Sequence, residues 1–227
     1  MTASARIDAP TPSSLRLVLT LAIAGLISGI AIIGIYEATL PTITANKARE
    51  LREAVFKVLP GVSQMQPLVF RNGELVVTAE PSAEESAIYG GYSSDGDFVG
   101  YAIPGAGPGF QDTIGLLYGF DPVRRQVLGM EVLESRDTPG LGDKIYKDMD
   151  FVDDFKALSI DPTIVAVKKG SKTGPNEVDA ITGATISSKA VVRIINETHA
   201  VWSDKLAAPG AEPPLAKTDA PSSETQP

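Results

Sequence analysis

Cysteine is absent from all 227 residues. That excludes disulfides, thiolate-held iron–sulfur clusters and Cys-based zinc sites. Histidine occurs once, as His199, so neither bis-histidine haem ligation nor a multi-histidine metal centre can be assembled. Any redox role therefore falls to an organic cofactor. Positive charge is also in short supply: 20 Lys and Arg against 28 Asp and Glu leave a formal net charge of −8. An acidic surface repels a phosphate backbone, which argues against nucleic acid as a partner. Apolar residues make up 43%, enough for a packed core, and the length suits one ordinary domain plus appendages.

One segment lacks charge altogether. Residues 17–36, LVLTLAIAGLISGIAIIGIY, are long enough to cross a bilayer core as a helix, which takes about 20 apolar residues. Gly25, Ser28, Gly29 and Gly34 are at home in a membrane helix, and Tyr36 stands where an interfacial aromatic belongs. A cleaved signal peptide would have a shorter apolar region, about 7–15 residues, with a small-residue cleavage site behind it. Here Glu37 follows without such a site, so the run is expected to be an uncleaved anchor over 15–40. Charge does not set its orientation: Arg6 and Arg16 precede it with Asp8, and Lys47, Arg49 and Arg52 follow.

Residues 1–14, with Pro10 and Pro12, read as a disordered arm. Residues 44–59 read as a helix, with Ala48, Leu51, Ala54, Val55 and Val58 at helical spacing and Pro60-Gly61 as its stop. Strands are expected at 67–70 and 75–78 around the turn Asn72-Gly73, then at 98–103, 113–120, 127–133 and 160–168. From residue 185 an amphipathic helix follows, with Val191, Ile194, Ile195, Thr198, Val201 and Trp202 on one stripe. His199 lies on it and reads as structural. The Pro/Ala/Ser-rich acidic stretch 207–227 is expected to be disordered, leaving 41–206 as the domain.

Several loops invite a ligand. PGAGPGF, 104–110, fails as a dinucleotide fingerprint because Phe110 stands where glycine or alanine is needed, and GSKTG, 170–174, lacks the phosphate-loop ending. Both are read as plain loops. More informative is ESRDTPGLGDKI, 134–145: Thr138-Pro139-Gly140 predicts a turn, and Gly140 and Gly142 flank Leu141. Backbone can approach a ligand there while one apolar side chain projects, which suits a flat ring system. The alternative is a tight connection and nothing more. DAITGATISS, 179–188, sets Thr182, Gly183, Ala184 and Thr185 at the start of the last helix. Capping accounts for hydroxyls there, with Ser188 in support. A helix N-terminus also attracts phosphate, and two residues almost without side chains leave Thr185 approachable by something large.

Asp179-Ala-Ile-Thr-Gly-Ala-Thr185 resembles the flavinylation motif of the FMN-binding domain family, and TPGLGDKI resembles its second signature. One span, a helix, a small α+β domain and then this motif resemble in particular the G subunits of Rnf-type ion-translocating electron-transport complexes. Those are related to the C subunits of sodium-pumping NADH:quinone reductases. Two positions differ: the usual Glu is Asp137 here, and an upstream His is Ser135.

The resemblance implies an α+β fold with FMN joined covalently to Thr185 through a phosphoester. A separate flavin transferase, using FAD and a divalent metal, would recognise Asp179. Thr182, Gly183 and Ala184 would complete the attachment loop, with Thr138, Gly140 and Leu141 along the isoalloxazine. Lys144 and Lys189 are candidate charge partners, though solvated surface lysines are the plainer reading. The implied partners are the other subunits of a membrane complex coupling ferredoxin and NAD redox chemistry to ion movement, with the domain periplasmic, anchored in a bacterial inner membrane. No metal site and no acid/base pair for standalone turnover is expected. A component of a sodium-pumping quinone reductase, a tethered scaffold without flavin, and a standalone flavin reductase are the alternatives. Asn196-Glu197-Thr198 matches a glycosylation sequon, but its place inside a helix argues against use.

Overall fold

The structure, a computed structural model, describes residues 13–78, 81–82, 85–138 and 140–216. The chain divides into two units, Met1–Arg49 and Glu50–Pro227. Helix α1, Ser14–Val58, is long and apolar enough to cross a membrane. The span and the helix expected at 44–59 are one element, with Pro41 inside it. A proline removes one rung of the helical ladder, but the helix-compatible residues on both sides carry α1 across it.

In the second unit an antiparallel sheet runs in the order β2-β1-β3-β4-β5-β6-β7. Its strands are β1 (Gln64–Arg71), β2 (Glu74–Val77), β3 (Ala87–Tyr92), β4 (Phe98–Pro108), β5 (Thr113–Asp121), β6 (Gln126–Ser135) and β7 (Leu158–Ser159). The β1–β2 turn is formed by Asn72 and Gly73, both at positive φ, as a two-residue hairpin requires. Alternation along the strands divides two cores. On one face Ala102 and Leu117 meet Ala54, Val55, Val58 and Leu59 from the end of α1. A Cβ on Gly119 would lie 2.0 Å from the Val58 carbonyl oxygen, so the helix end seats directly on the strand.

The other face carries Leu68, Ile88, Tyr101, Ile103, Leu116, Tyr118 and Phe120, and packs against helix α4, Thr185–Trp202. Val191, Ile194, Ile195 and Trp202 of the predicted stripe are buried there, whereas Val201, placed on it, faces outward and is exposed; truncating a buried aliphatic side chain such as Ile194 to alanine typically costs about 2–5 kcal/mol. Between β6 and α4 lie the short helices α2 (Lys144–Lys147) and α3 (Met149–Asp153) and a parallel pair, β8 (Val165–Lys168) with β9 (Glu177–Ala180). The fold is α+β.

Three local expectations change. PGAGPGF is not a loop: residues through Pro108 continue β4 and pair with β5. Its glycines answer to close approach, since a Cβ on Gly105 would meet the Thr198 hydroxyl at 2.5 Å. Of the single strand expected at 160–168 only Val165–Lys168 forms, as β8; residues 160–164, with Pro162, separate it from β7, which lies just before the expected range, and β9 was not anticipated because its four residues sit in a polar stretch. Ala207 does not begin a free tail: residues 207–216 return to the sheet, where the Pro213 and Pro214 carbonyls accept hydrogen bonds from Tyr92 and Gln66. The expectations for residues 1–12, Pro139 and 217–227 fall outside the described residues.

Candidate functional site

Beside the N-terminus of α4 is a cavity of about 240 Å³. Leu141 and Gly142 line it from the β6–α2 loop, Phe110 from the β4–β5 connection, and Gly183, Ala184, Thr185, Ile186 and Ser187 from the α4 entry. Phe110, Leu141 and Ile186 are 48%, 46% and 59% exposed, a set of apolar groups with no cover.

The α4 entry is built by its own short side chains. Gly183 adopts φ +80°, a left-handed conformation that costs a residue with a Cβ about 1–2 kcal/mol. Ala184 is the N-cap residue and makes no side-chain cap. Ser188, buried, does the closing instead: its hydroxyl accepts from the Ile181 amide at 3.1 Å and donates to the Ala184 carbonyl at 2.9 Å. Capping therefore does not occupy the threonines. Thr185 is exposed, and its hydroxyl donates over a long 3.3 Å to the Ile181 carbonyl. Helix geometry leaves the amides of Thr185, Ile186 and Ser187 without intrahelical acceptors, and these N–H groups form the positive end of the α4 dipole.

Asp137 joins the walls. It is 6% exposed and accepts from the amides of Gln111 (2.9 Å), Phe110 (3.4 Å) and Asp112 (3.4 Å) and from the Ser187 hydroxyl (3.0 Å). Burial by itself would raise its pKa; these donors outweigh that and hold the carboxyl below the usual carboxylate range. One side chain thus fixes the Phe110 loop, the β6 exit and the α4 entry. A Cβ on Gly142 would lie 2.2 Å from the Asp137 Cβ, so that glycine exists for contact with Asp137. Asp143 accepts from Lys147 at 2.6 Å and from the Gly140 amide at 2.7 Å; the Lys147 ammonium leads in drawing its pKa down.

Of the residues singled out from sequence, Leu141, Gly183, Ala184 and Thr185 share the cavity. Thr138 and Gly140 lie in the turn behind it: the Thr138 carbonyl accepts from the amides of Leu141 and Gly142, and its hydroxyl donates to Gln111. Thr182 is exposed, with the Lys144 ammonium 3.5 Å from its carbonyl. Lys189 is exposed on α4. Asp179 is apart from this cavity, on β9; its carboxylate accepts from the amides of Ser171 and Lys172, and it lines a second, acidic cavity with Asp148, Asp150 and Asp154. Asn196 of the sequon is engaged by both amide atoms with the Ile164 backbone. Sequence reasoning missed Phe110, Ile186 and Ser187, and named Asp137 only as a departure. The available signal was a carboxylate directly before the Thr138 turn.

The arrangement is an open, apolar-rimmed cavity ending at a free helix N-terminus with an accessible hydroxyl. It suits a planar ring with a phosphate-bearing chain, and the small Gly183 and Ala184 leave room for one. A protein-family model for the FMN-binding domain matches residues 109–200, which include every lining residue. The fold is similar to that of NqrC of Shewanella oneidensis, with TM-score 0.56 and 19% identity over 67% of this chain and 91% of that one. It is also similar to the C subunit of the Na(+)-translocating NADH-quinone reductase of Parabacteroides distasonis, with TM-score 0.52 and 24% identity over 67% and 80%. The class is thus an FMN-binding α+β domain behind one helix able to span a membrane.

Curated relatives narrow it. The chain is 31% identical over 150 residues to the G subunit of the Na(+)-translocating ferredoxin:NAD(+) oxidoreductase complex of Acetobacterium woodii, covering 64% of this chain and 70% of that protein. To the G subunit of the ion-translocating oxidoreductase complex of Haemophilus influenzae (strain PittEE) it is 33% identical over 165 residues, covering 70% and 75%. The chain belongs to the family of G subunits of ion-translocating oxidoreductase complexes.

Proposed function

We propose that this chain is the membrane-anchored electron-transfer subunit of an ion-translocating oxidoreductase complex that links ferredoxin and NAD redox chemistry to ion movement, and that it carries FMN esterified to Thr185. The observation that carries the second part is Thr185 itself: an exposed hydroxyl at the cavity mouth, on the first turn of α4, preceded by Gly183 and Ala184. The names of its relatives favour this complex over a sodium-pumping quinone reductase, whose C subunits share the fold.

When bound, FMN supplies one- and two-electron redox chemistry. The residues divide the work of holding it. Thr185 Oγ1 would hold the FMN phosphate as an ester, the hydroxyl proton being taken and AMP released from FAD by a separate flavin transferase. A threonine hydroxyl needs that outside activation, since no titratable group among the described residues hydrogen-bonds it. The amides opening α4 favour the phosphodiester charge by roughly 0.3–1 kcal/mol. Lys144, beside the Thr182 carbonyl, and Lys189, one turn beyond Thr185, add positive charge. Phe110, Leu141 and Ile186 would offer the ring system apolar surface and exclude water from it. Asp179 serves recognition by the transferase, and the domain faces the periplasm.

Co-expression with a flavin transferase tests the attachment. A denaturing gel viewed under ultraviolet light should show a fluorescent band for wild type and for Thr182→Val, and none for Thr185→Val. A dark wild-type band ends the covalent proposal.

A further inference from the structure

Two residues of the segment 179–185 meet the flavin transferase in the maturation described above: Asp179 is recognised and Thr185 receives the flavin. The fold turns them to different places. Thr185 lines the flavin cavity with Gly183, whereas Asp179 lines the acidic cavity with Asp148, Asp150 and Asp154. Between them Ala180, Ile181 and Ala184 are 5%, 4% and 6% exposed. The stretch that joins the two ends is therefore part of the core.

Both ends are also fastened by residues outside the segment. The Asp179 carboxylate accepts from the amides of Ser171 and Lys172 at 3.3 and 3.2 Å. The Asp179 amide donates to one Asp154 oxygen at 2.8 Å, and the other accepts from the Lys172 ammonium at 2.9 Å. Asp154, at the end of α3, thus ties β9 to the chain that leaves β8. The Thr185 end is held through Ile181. Its amide donates to the Ser188 hydroxyl at 3.1 Å, and its carbonyl accepts from the Ala184 amide at 3.0 Å and from the Thr185 hydroxyl at 3.3 Å.

An enzyme that reads the Asp179 carboxylate competes with two amides that already hold it. To grip residues 179–185 as one stretch it must also draw Ile181 out of the core. We propose that the flavin transferase acts on an opened form, in which residues 179–185 have left β9 and the first turn of α4, and that the contacts of Asp154, Lys172 and Ser188 set how often this form arises. The proposal rests on the reading of Thr185 as the attachment point and Asp179 as the recognition residue. The folded domain then guards its own modification site. The rate of attachment is the rate on the opened form multiplied by the fraction opened. Reclosure returns Thr185, with its flavin, to the cavity mouth.

The test uses the flavin-free full chain in detergent, purified transferase, FAD and a divalent metal, with attachment followed over time by fluorescence on a denaturing gel. In cells a destabilised chain is also a degraded one, so the rate is read on purified chain. Asp154→Ala and Ser188→Ala each remove two hydrogen bonds and leave residues 179–185 unchanged. Each should speed attachment about tenfold. Lys172→Met removes one exposed ion pair and no core contact, and should speed it about threefold. Hydrogen exchange at the Asp179 and Ile181 amides should quicken by the same factors, with exchange in β5 unchanged. Where a variant unfolds as a whole, β5 exchanges too, and Lys172→Met decides. Faster exchange with attachment unchanged or slowed would overturn the proposal, the folded form then being the substrate. Exchange unchanged in all three variants would overturn it as well, since these contacts would not govern opening. A wild type that takes no flavin, or an Asp179→Asn chain that takes it as fast as wild type, would instead overturn the reading on which the proposal rests.

Discussion

Replacing Asp137 by Asn keeps the shape of the side chain and removes its charge and one acceptor. The wild-type carboxylate receives two short hydrogen bonds, from the Gln111 amide and the Ser187 hydroxyl, and two long ones, from the amides of Phe110 and Asp112. In the variant the remaining oxygen retains Gln111, Ser187 turns to accept, and the new NH2 opposes the Phe110 amide. Bonds to a charged acceptor exceed neutral ones by about 1 kcal/mol each, so two short bonds give about 2 kcal/mol. The opposed amide donors bring the expected loss to about 2–3 kcal/mol at pH 7. The assay is urea unfolding of the full chain in detergent, wild type against Asp137→Asn, from pH 7 downwards. Because the folded pKa lies below the unfolded value, the carboxylate's contribution is complete above about pH 4 and disappears as pH falls through the folded pKa. The gap between the two proteins should therefore narrow in acid. A difference under about 0.5 kcal/mol at neutral pH, or a gap that stays constant below about pH 4, refutes the role assigned to Asp137.

Other consequences follow from the same contacts. Gly142→Ala forces a Cβ onto the Asp137 Cβ, so about 1–3 kcal/mol of stability should go, measured by unfolding, along with most of the covalent fluorescence on a gel. Gly183→Ala should cost about 1–2 kcal/mol through its left-handed backbone alone, since among the described residues its Cβ would meet just the end of the flexible Lys144 side chain, at 3.4 Å. His199 is buried against Phe120, its ring nitrogens unpartnered among the described residues. Burial, helped by Arg125 and opposed by Asp161, depresses its pKa, so its stabilising effect is whole above about pH 6.5 and declines as pH drops through the folded value. His199→Phe should flatten the melting temperature over that acid range, whereas an unchanged slope would assign the effect elsewhere.

What the sequence made legible was whatever rests on local pattern. The charge-free run, the Asn72-Gly73 turn and the apolar stripe of α4 are each fixed by near neighbours, and the structure has all three, except that Val201 of the stripe is exposed. The loop that opens α4 was visible because Gly183 and Ala184 are small for a local reason. What stayed hidden depends on distant partners. Gly105 and Gly107 read as loop residues because nothing near them in the chain announces that α4 presses on β4. Asp137 looked like a mere departure because its donors come from residues 110–112 and 187. The proline-rich stretch after Ala207 has the composition of a free tail; its seat depends on Gln66, about 150 residues away, whose burial no local pattern betrays.

The most direct measurement is mass spectrometry of proteolytic peptides from the chain isolated out of its native membrane. The peptide holding Thr185 should be heavier than its residues by FMN less one water, with fragment ions placing the increment on that threonine. An unmodified mass for that peptide, or an increment on Thr182, would contradict the account.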